Sequence, residues 1–200
     1  MLFPQEHFET YPDSDIDSAM NLFEHLPHVC ERVRLRKLRA SDFLSFHAYR
    51  SDADVARYQS WLPMSETEAS EVLREYARNA GLEPGEWAQI GIAAIEDDNL
   101  IGDFGVWLAP DGRWAEFGVS LHPQFQRDGM GRESAAALTT LLFAHTAVQR
   151  VVAVTDTRNL ACIALLQSLG MRLVDTAEAE FKGEVCSEHV FAIERGRPAP

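Results

Sequence analysis

Trp114-Ala115-Glu116-Phe117-Gly118-Val119-Ser120-Leu121-His122-Pro123-Gln124-Phe125-Gln126-Arg127-Asp128-Gly129-Met130-Gly131-Arg132 divides into a strand, a loop and the opening of a helix. From Ala115 to His122 the odd positions are apolar and the even ones small or polar, so a strand puts Glu116, Ser120 and His122 on one side. Beyond the glycines, Ala135, Leu138, Leu141 and Leu142 recur at helical spacing. Strand, glycine loop and helix start together suit an anion. The first amides of a helix lack partners, the dipole favours negative charge, and glycine lets the backbone close in. Arg127 and Arg132 add positive charge. A phosphate or pyrophosphate is the guest that fits.

Other readings of the loop compete. Gly129 and Gly131 as mere chain turns leave the coincidence of glycine, arginine and helix start unexplained. A nucleotide P-loop fails because no Gly-Lys-Ser/Thr follows. A dinucleotide fold has some support, since Gly129-Met130-Gly131 is followed by a strand, Val151–Thr155, ending at Asp156. Its first glycine, however, stands several residues past the strand, and too little chain remains for the second half.

Around this stretch the chain reads as alternating elements. Val33–Leu38 alternates as a strand, and Ser41-Asp42 offers an N-cap for a helix to about Arg50. Ser65-Glu66-Thr67-Glu68 is a capping box opening a helix to about Asn79. A hairpin follows over 88–96 and 100–108, turning at Asp97-Asp98-Asn99. After the helix at 131–146 come a strand at 150–155, a helix at 159–169 and strands near 171–175 and 188–194. Hairpins first and one βαβ crossover later predict an α/β fold with a single mixed, mostly antiparallel sheet flanked by helices.

The 200 residues, 46% hydrophobic and 24% charged, have the make-up of a globular domain with a real core. A net charge of −13 argues against nucleic acid as a partner, because phosphates must be met by clustered Lys and Arg. Residues 1–31 read as an acidic N-terminal extension, 32–195 as the domain and 196–200 as a tail. The first thirty residues hold six acids and no Lys or Arg, yet carry Phe3, Phe8, Tyr11, Ile16, Met20, Leu22, Phe23 and Leu26. Such a segment is expected to strap onto the domain or onto a second subunit, as in a homodimer. Cys30, Cys162 and Cys186 form no metal-binding or disulfide pattern. With no membrane span and no signal peptide in view, a cytoplasmic protein without membrane partner or metal is the expectation.

Gln126-Arg127-Asp128-Gly129-Met130-Gly131 resembles the Q/R-x-x-G-x-G/A acyl-CoA pyrophosphate loop of the GNAT superfamily of N-acetyltransferases. Three more pieces resemble its RimJ/RimL, or ribosomal-protein, branch: Ala115-Glu116-Phe117-Gly118; Asn159-Leu160-Ala161-Cys162 running on to Leu169-Gly170-Met171; and Phe181-Lys182-Gly183-Glu184 with Glu188-His189-Val190-Phe191-Ala192. The resemblance spans about 32–194. It implies the GNAT fold with splayed central strands, the strand at 114–121 carrying a bulge that parts it from the strand at 150–155. It implies acetyl-CoA as co-substrate, with pantetheine bonded to backbone groups of Val119 and Leu121 and to Asn159. The pyrophosphate is then held by Gln126, Arg127, Gly129, Met130, Gly131 and Arg132.

The implied activity is transfer of an acetyl group to a primary amine, on a small molecule or a peptide, by direct attack in a ternary complex. Amine attack needs the ammonium to lose a proton (α-amino pKa ~8, lysine ~10.4). Glu116 is the candidate base, directly or through water; a strand carboxylate paired with arginine is its alternative. Glu180 is the reserve, and His122, placed before Pro123, either serves as base or shapes the turn. The tyrosine acid of many GNAT enzymes falls at Leu166 here, leaving Cys162 as the candidate acid or as a packed small residue. Asp128, where the family carries Arg, Lys, Gln or Gly, is unfavourable beside a pyrophosphate unless it points outward or pairs with Arg127 or Arg132. Trp61, Tyr58 and Trp107 are expected to line the acceptor side. A non-catalytic acyl-CoA sensor of the same fold is the alternative function.

Overall fold

Strand structure begins earlier than the alternation at Val33. In the computed structural model, which describes residues 22–196, a 3-10 turn at Leu22–His25 leads into β1 (His28–Val29), antiparallel to β2 (Val33–Arg36). Leu22 and Phe23 are buried in the main core, so burial of these large side chains draws the end of the acidic segment into the domain. The rest of that extension, and all but the first residue of the tail, lie outside the described residues.

Next come α1 (Phe43–Arg50), α2 (Ala53–Ala56) and α3 (Glu66–Tyr76), then β3 (Trp87–Ala94), β4 (Leu100–Leu108) and β5 (Trp114–Leu121). The second half is α4 (Met130–His145), β6 (Arg150–Asp156), α5 (Leu160–Ser168), β7 (Arg172–Phe181) and β8 (Glu184–Glu194). The strands form one sheet in the order β1-β2-β3-β4-β5-β6-β8-β7, with every pair antiparallel except β5–β6. This is the mixed α/β sheet that the sequence predicts.

Alternation gives the sheet two faces. Ile90, Ile92, Phe104, Val106, Phe117 and Phe191 pack with Leu138 and Leu142 of α4 and Leu166 of α5. On the other face lies a smaller cluster of Trp107, Trp114, Val152, Val190 and Ala192. Beside it α1 and α3 cover Leu38 and Leu100 with Phe46, Tyr49, Ala69 and Leu73.

Several local readings change. The Ser65 capping box is present, with Glu68 N donating to Ser65 Oγ and Ser65 N to Glu68 Oε2, but α3 stops at Tyr76. Asp42 does not cap α1 with its side chain; its carboxylate accepts both terminal nitrogens of buried Arg36, each at 2.8 Å, and the Arg39 amide. A charge-assisted fork at a buried guanidinium outweighs one capping bond. β7 and β8 extend far beyond their expected bounds, because Lys182 (φ 52°) and Gly183 (φ 79°) make a tight hairpin turn between them.

The decisive feature is a fork. β5 and β6 pair only from Trp114↔Arg150 to Glu116↔Val152. The expected bulge in β5 is absent, since its register against β4 runs unshifted from Leu108↔Ala115 to Gly102↔Leu121. Instead β6 stays paired with β8 down to Asp156↔Glu188, so β6 follows β8 while β5 follows β4. Gly118 stands just beyond the vertex, where a Cβ would meet nothing within 4 Å.

Candidate active site

Glu116 is the last residue of β5 paired to β6, and its side chain sits at the vertex of the fork. Ser120 shares its face, both being buried, whereas His122 falls past the strand end. His122 Nδ1 accepts the Gln124 amide at 3.2 Å, which closes the turn at Pro123. Glu180 lies exposed on β7. Among the three candidate bases only Glu116 is buried, at 6% exposure, and its Oε2 has no hydrogen-bond partner among the described residues. Burial, with a smaller push from the charge of Glu188, raises its pKa to about 7.

Beyond the vertex, the carbonyls of Val119 and Leu121 point out of the ladder with β4. Gln59 Nε2 donates to Val119 O at 3.0 Å and Gln126 Nε2 to Leu121 O at 2.9 Å. Side-chain amides thus already pair with the groups that the sequence assigns to a pantetheine arm. Across the fork, Asn159 caps α5 by accepting the Cys162 amide on Oδ1 at 3.2 Å, leaving its NH2 uncommitted among the described residues. Both roles expected of Asn159 are therefore open to it at once. Cys162 packs beside Thr155, and burial pushes its thiol up. Glu116 faces the tryptophan side and Cys162 the α4–α5 side, so they approach the fork from opposite faces. Leu166, in the tyrosine's place, is fully buried.

The loop between β5 and α4 has the shape of an anion cradle. Arg127 (φ 66°) and Gly129 (φ 91°) both have positive φ, a pattern that curls successive amides toward one point. Gly129 is the N-cap of α4, and a Cβ on Gly131 would lie 2.9 Å from the tip of the Leu121 side chain. The amides of Gly131 and Arg132 donate to no group among the described residues, as expected in a first helical turn. Arg132 Nε donates to Ser168 O at 3.2 Å and so ties α4 to the end of α5.

Asp128 pairs with neither Arg127 nor Arg132. Its Oδ1 accepts the Met130 amide at 3.0 Å, inside the cradle, and its carbonyl accepts Arg32 Nη1 at 2.8 Å. Arg32 also bonds Glu133, whose carboxylate accepts Arg32 Nε and the amides of Arg32 and Val33. Sequence reasoning missed this clamp of β2 on α4 because its ends are a hundred residues apart; an acid in the first turn of α4 was the only local signal. Gln59 gave no signal at all.

Opposite the helices, the tip of the β7–β8 hairpin reaches the end of α2, where Lys182 Nζ donates to Ala56 O at 2.7 Å. On the same face Trp107 and Trp114 are buried with their rings 4.9 Å apart. Trp61 instead stacks on the Arg50 guanidinium at 4.6 Å, beside the buried Asp103 that accepts from Tyr49 and Arg50. Among the described residues no group of three or more His, Cys, Asp or Glu side chains is placed to hold a metal, and no helix is long and apolar enough to cross a membrane.

A parted parallel strand pair beside a glycine cradle at a helix start is the arrangement that the sequence resemblance implies, and comparison with known proteins gives the same family. The model of the acetyltransferase (GNAT) domain matches residues 32–172, so this chain belongs to the GNAT family and is an N-acetyltransferase. It is 27% identical over 169 residues to an uncharacterized N-acetyltransferase p20 of Bacillus licheniformis, covering 82% of this chain and 93% of that one. Its fold is similar to that of RimL, a ribosomal L7/L12 alpha-N-protein acetyltransferase solved with coenzyme A (18% identity, TM-score 0.71, 84% and 97% of the two chains). It is also similar to spermidine N-acetyltransferase of Vibrio cholerae solved with CoA and spermine (18%, TM-score 0.69, 82% and 95%).

Proposed function

We propose that this chain moves an acetyl group from acetyl-CoA to a primary amine by direct attack, with Glu116 as base. The observation that carries this reading is the buried Glu116 carboxylate at the vertex of the fork, with one oxygen unpartnered among the described residues. The cradle fits the diphosphate of coenzyme A through the free amides of Gly131 and Arg132, with Arg127 nearby. The fork fits the pantetheine arm through the carbonyls of Val119 and Leu121 and the amide of Asn159. Acetyl-CoA supplies an activated thioester carbonyl.

The chain's own part is positioning and proton transfer. Aligning the two reactants is worth ~7–11 kcal/mol on its own. The entering ammonium loses one proton to Glu116, the amine nitrogen bonds the carbonyl carbon, and the carbon–sulfur bond breaks. A second proton leaves that nitrogen, and the departing thiolate takes up one from Cys162 or solvent. One proton is released overall.

An amine panel assayed by thiol release tests this reading. Turnover with primary amines is expected; tight coenzyme A binding without turnover on any amine supports the sensor instead. Asp128 gives a second test, because its charge lies where the diphosphate would sit. Asp128→Ala is expected to tighten coenzyme A binding roughly fivefold, from the ~1 kcal/mol exchanged by unit charges ~4 Å apart in high dielectric. The gain should shrink in high salt. Unchanged or weaker binding by titration calorimetry would place Asp128 away from the diphosphate.

A further inference from the structure

We propose that Glu188 is a second acceptor-binding carboxylate, which with Glu116 seats one aliphatic ammonium against Trp107 and Trp114. This deepens, and rests on, the reading of the site as an amine acetyltransferase. Alternation along β8 puts Glu188, Val190 and Ala192 on one face, and Val190 and Ala192 belong to the cluster of Trp107, Trp114 and Val152. Glu188 therefore continues the floor of the acceptor side toward the open end of the fork. It is 9% exposed, and no side-chain hydrogen bond of it is present among the described residues. Glu116 Oε2 is likewise buried and unpartnered there. Two such carboxylates call for a ligand rich in N–H donors and positive charge.

The surrounding charges say which carboxylates can meet a cation. Glu188 lies opposite Asp156 in the β6–β8 register, and Asp156 is held by Arg158 through Nε and Nη2. Glu188 bears on Glu116, and Asp156 on Glu188; both carboxyls are pushed up, burial being the larger cause for each. The Cys186 thiol, two residues away on β8, is pushed up as well. His189 turns to the other face to bond Thr176 Oγ1 at 2.8 Å. With Asp156 already paired to Arg158, Glu116 and Glu188 are the carboxylates left on this face to meet the positive charge of an entering ammonium. The tryptophan wall suits the methylenes next to it. Arylamines, neutral at pH 7, lack the charge.

The experiment compares wild type with Glu188→Gln and Glu188→Asp. For Glu188→Gln, the KM for propylamine should rise roughly 10–100-fold, the range for losing one hydrogen bond to a charged group. Its KM for acetyl-CoA should stay unchanged, and the acid limb of kcat/KM should move to lower pH as Glu116 loses a like-charged neighbour. Glu188→Asp should restore part of the amine KM. Aniline should be a poor substrate of all three. An amine KM and pH limb both within about twofold of wild type in Glu188→Gln would overturn the assignment.

Carboxyl 13C resonances of wild-type Glu116 and Glu188 give a readout that needs neither turnover nor a folded variant. Propylammonium should shift both and aniline neither; no shift with propylammonium sinks the seat. If no amine turns over yet both resonances shift, the acetyltransferase reading fails while the ammonium seat stands.

Discussion

Glu116→Gln is expected to lower kcat/KM for the amine by roughly 10²–10⁴-fold, the usual worth of a positioned proton-transfer group. In wild type kcat/KM should climb with pH and level off above about 7, where Glu116 has ionised; in the variant that limb should be gone. The same substitution should stabilise the fold. The unfolded chain binds this proton below about 4.5 and the native chain below about 7, so between those values the native state holds the extra proton. Stability from this group is therefore greatest at low pH, falls as pH rises from about 4.5 to about 7, and is flat beyond. At pH 8 the buried charge costs ~3 kcal/mol at ~1.36 kcal/mol per pKa unit, and Glu116→Gln should recover much of it. An inactive yet more stable variant is the signature of a group kept for function. Activity equal to wild type at neutral pH would remove Glu116 as base.

Asp103→Ala is expected to destabilise the protein by ~3–5 kcal/mol, the range for breaking a buried ion pair by deleting one partner. Asp103 is 1% exposed on β4 and accepts Tyr49 Oη at 2.9 Å and Arg50 Nη2. Arg50, 4% exposed, lies among the rings of Phe46, Tyr49, Trp61 and Tyr76. Without Asp103 its guanidinium stays buried with no counter-charge. Urea denaturation measures the loss as a lower midpoint at unchanged slope. Activity should suffer too, because Arg50 supports Trp61, and Gln59, two residues before it, reaches Val119 O. A loss below about 1 kcal/mol would mean that water reaches the arginine.

The parts of the molecule legible in the sequence are those written locally. Period-two alternation put Glu116 and Ser120 on one face, and both are buried there. Glycines 129 and 131 marked the cradle, since one needs a left-handed backbone and the other a close approach. The antiparallel first half and the βαβ crossover followed from the order of elements. What was not legible depends on partners distant in sequence. The fork arises from the unbroken pairing of β6 with β8, which no bulge in β5 announces. Asp42 looked like a cap because Arg36 was not known to be buried beside it. Asp128 looked like a partner for its neighbouring arginines, whereas Arg32 and the Met130 amide take its oxygens.

Everything functional depends on the cradle and fork receiving coenzyme A, and calorimetric titration of the wild type and Gly129→Val with coenzyme A tests that most directly. One coenzyme A per chain is expected for wild type, with binding weakened at least tenfold in Gly129→Val, because a β-branched residue does not hold the φ of 91° with which Gly129 opens α4. Equal affinity in the two proteins, or no heat from folded wild type, would contradict the account.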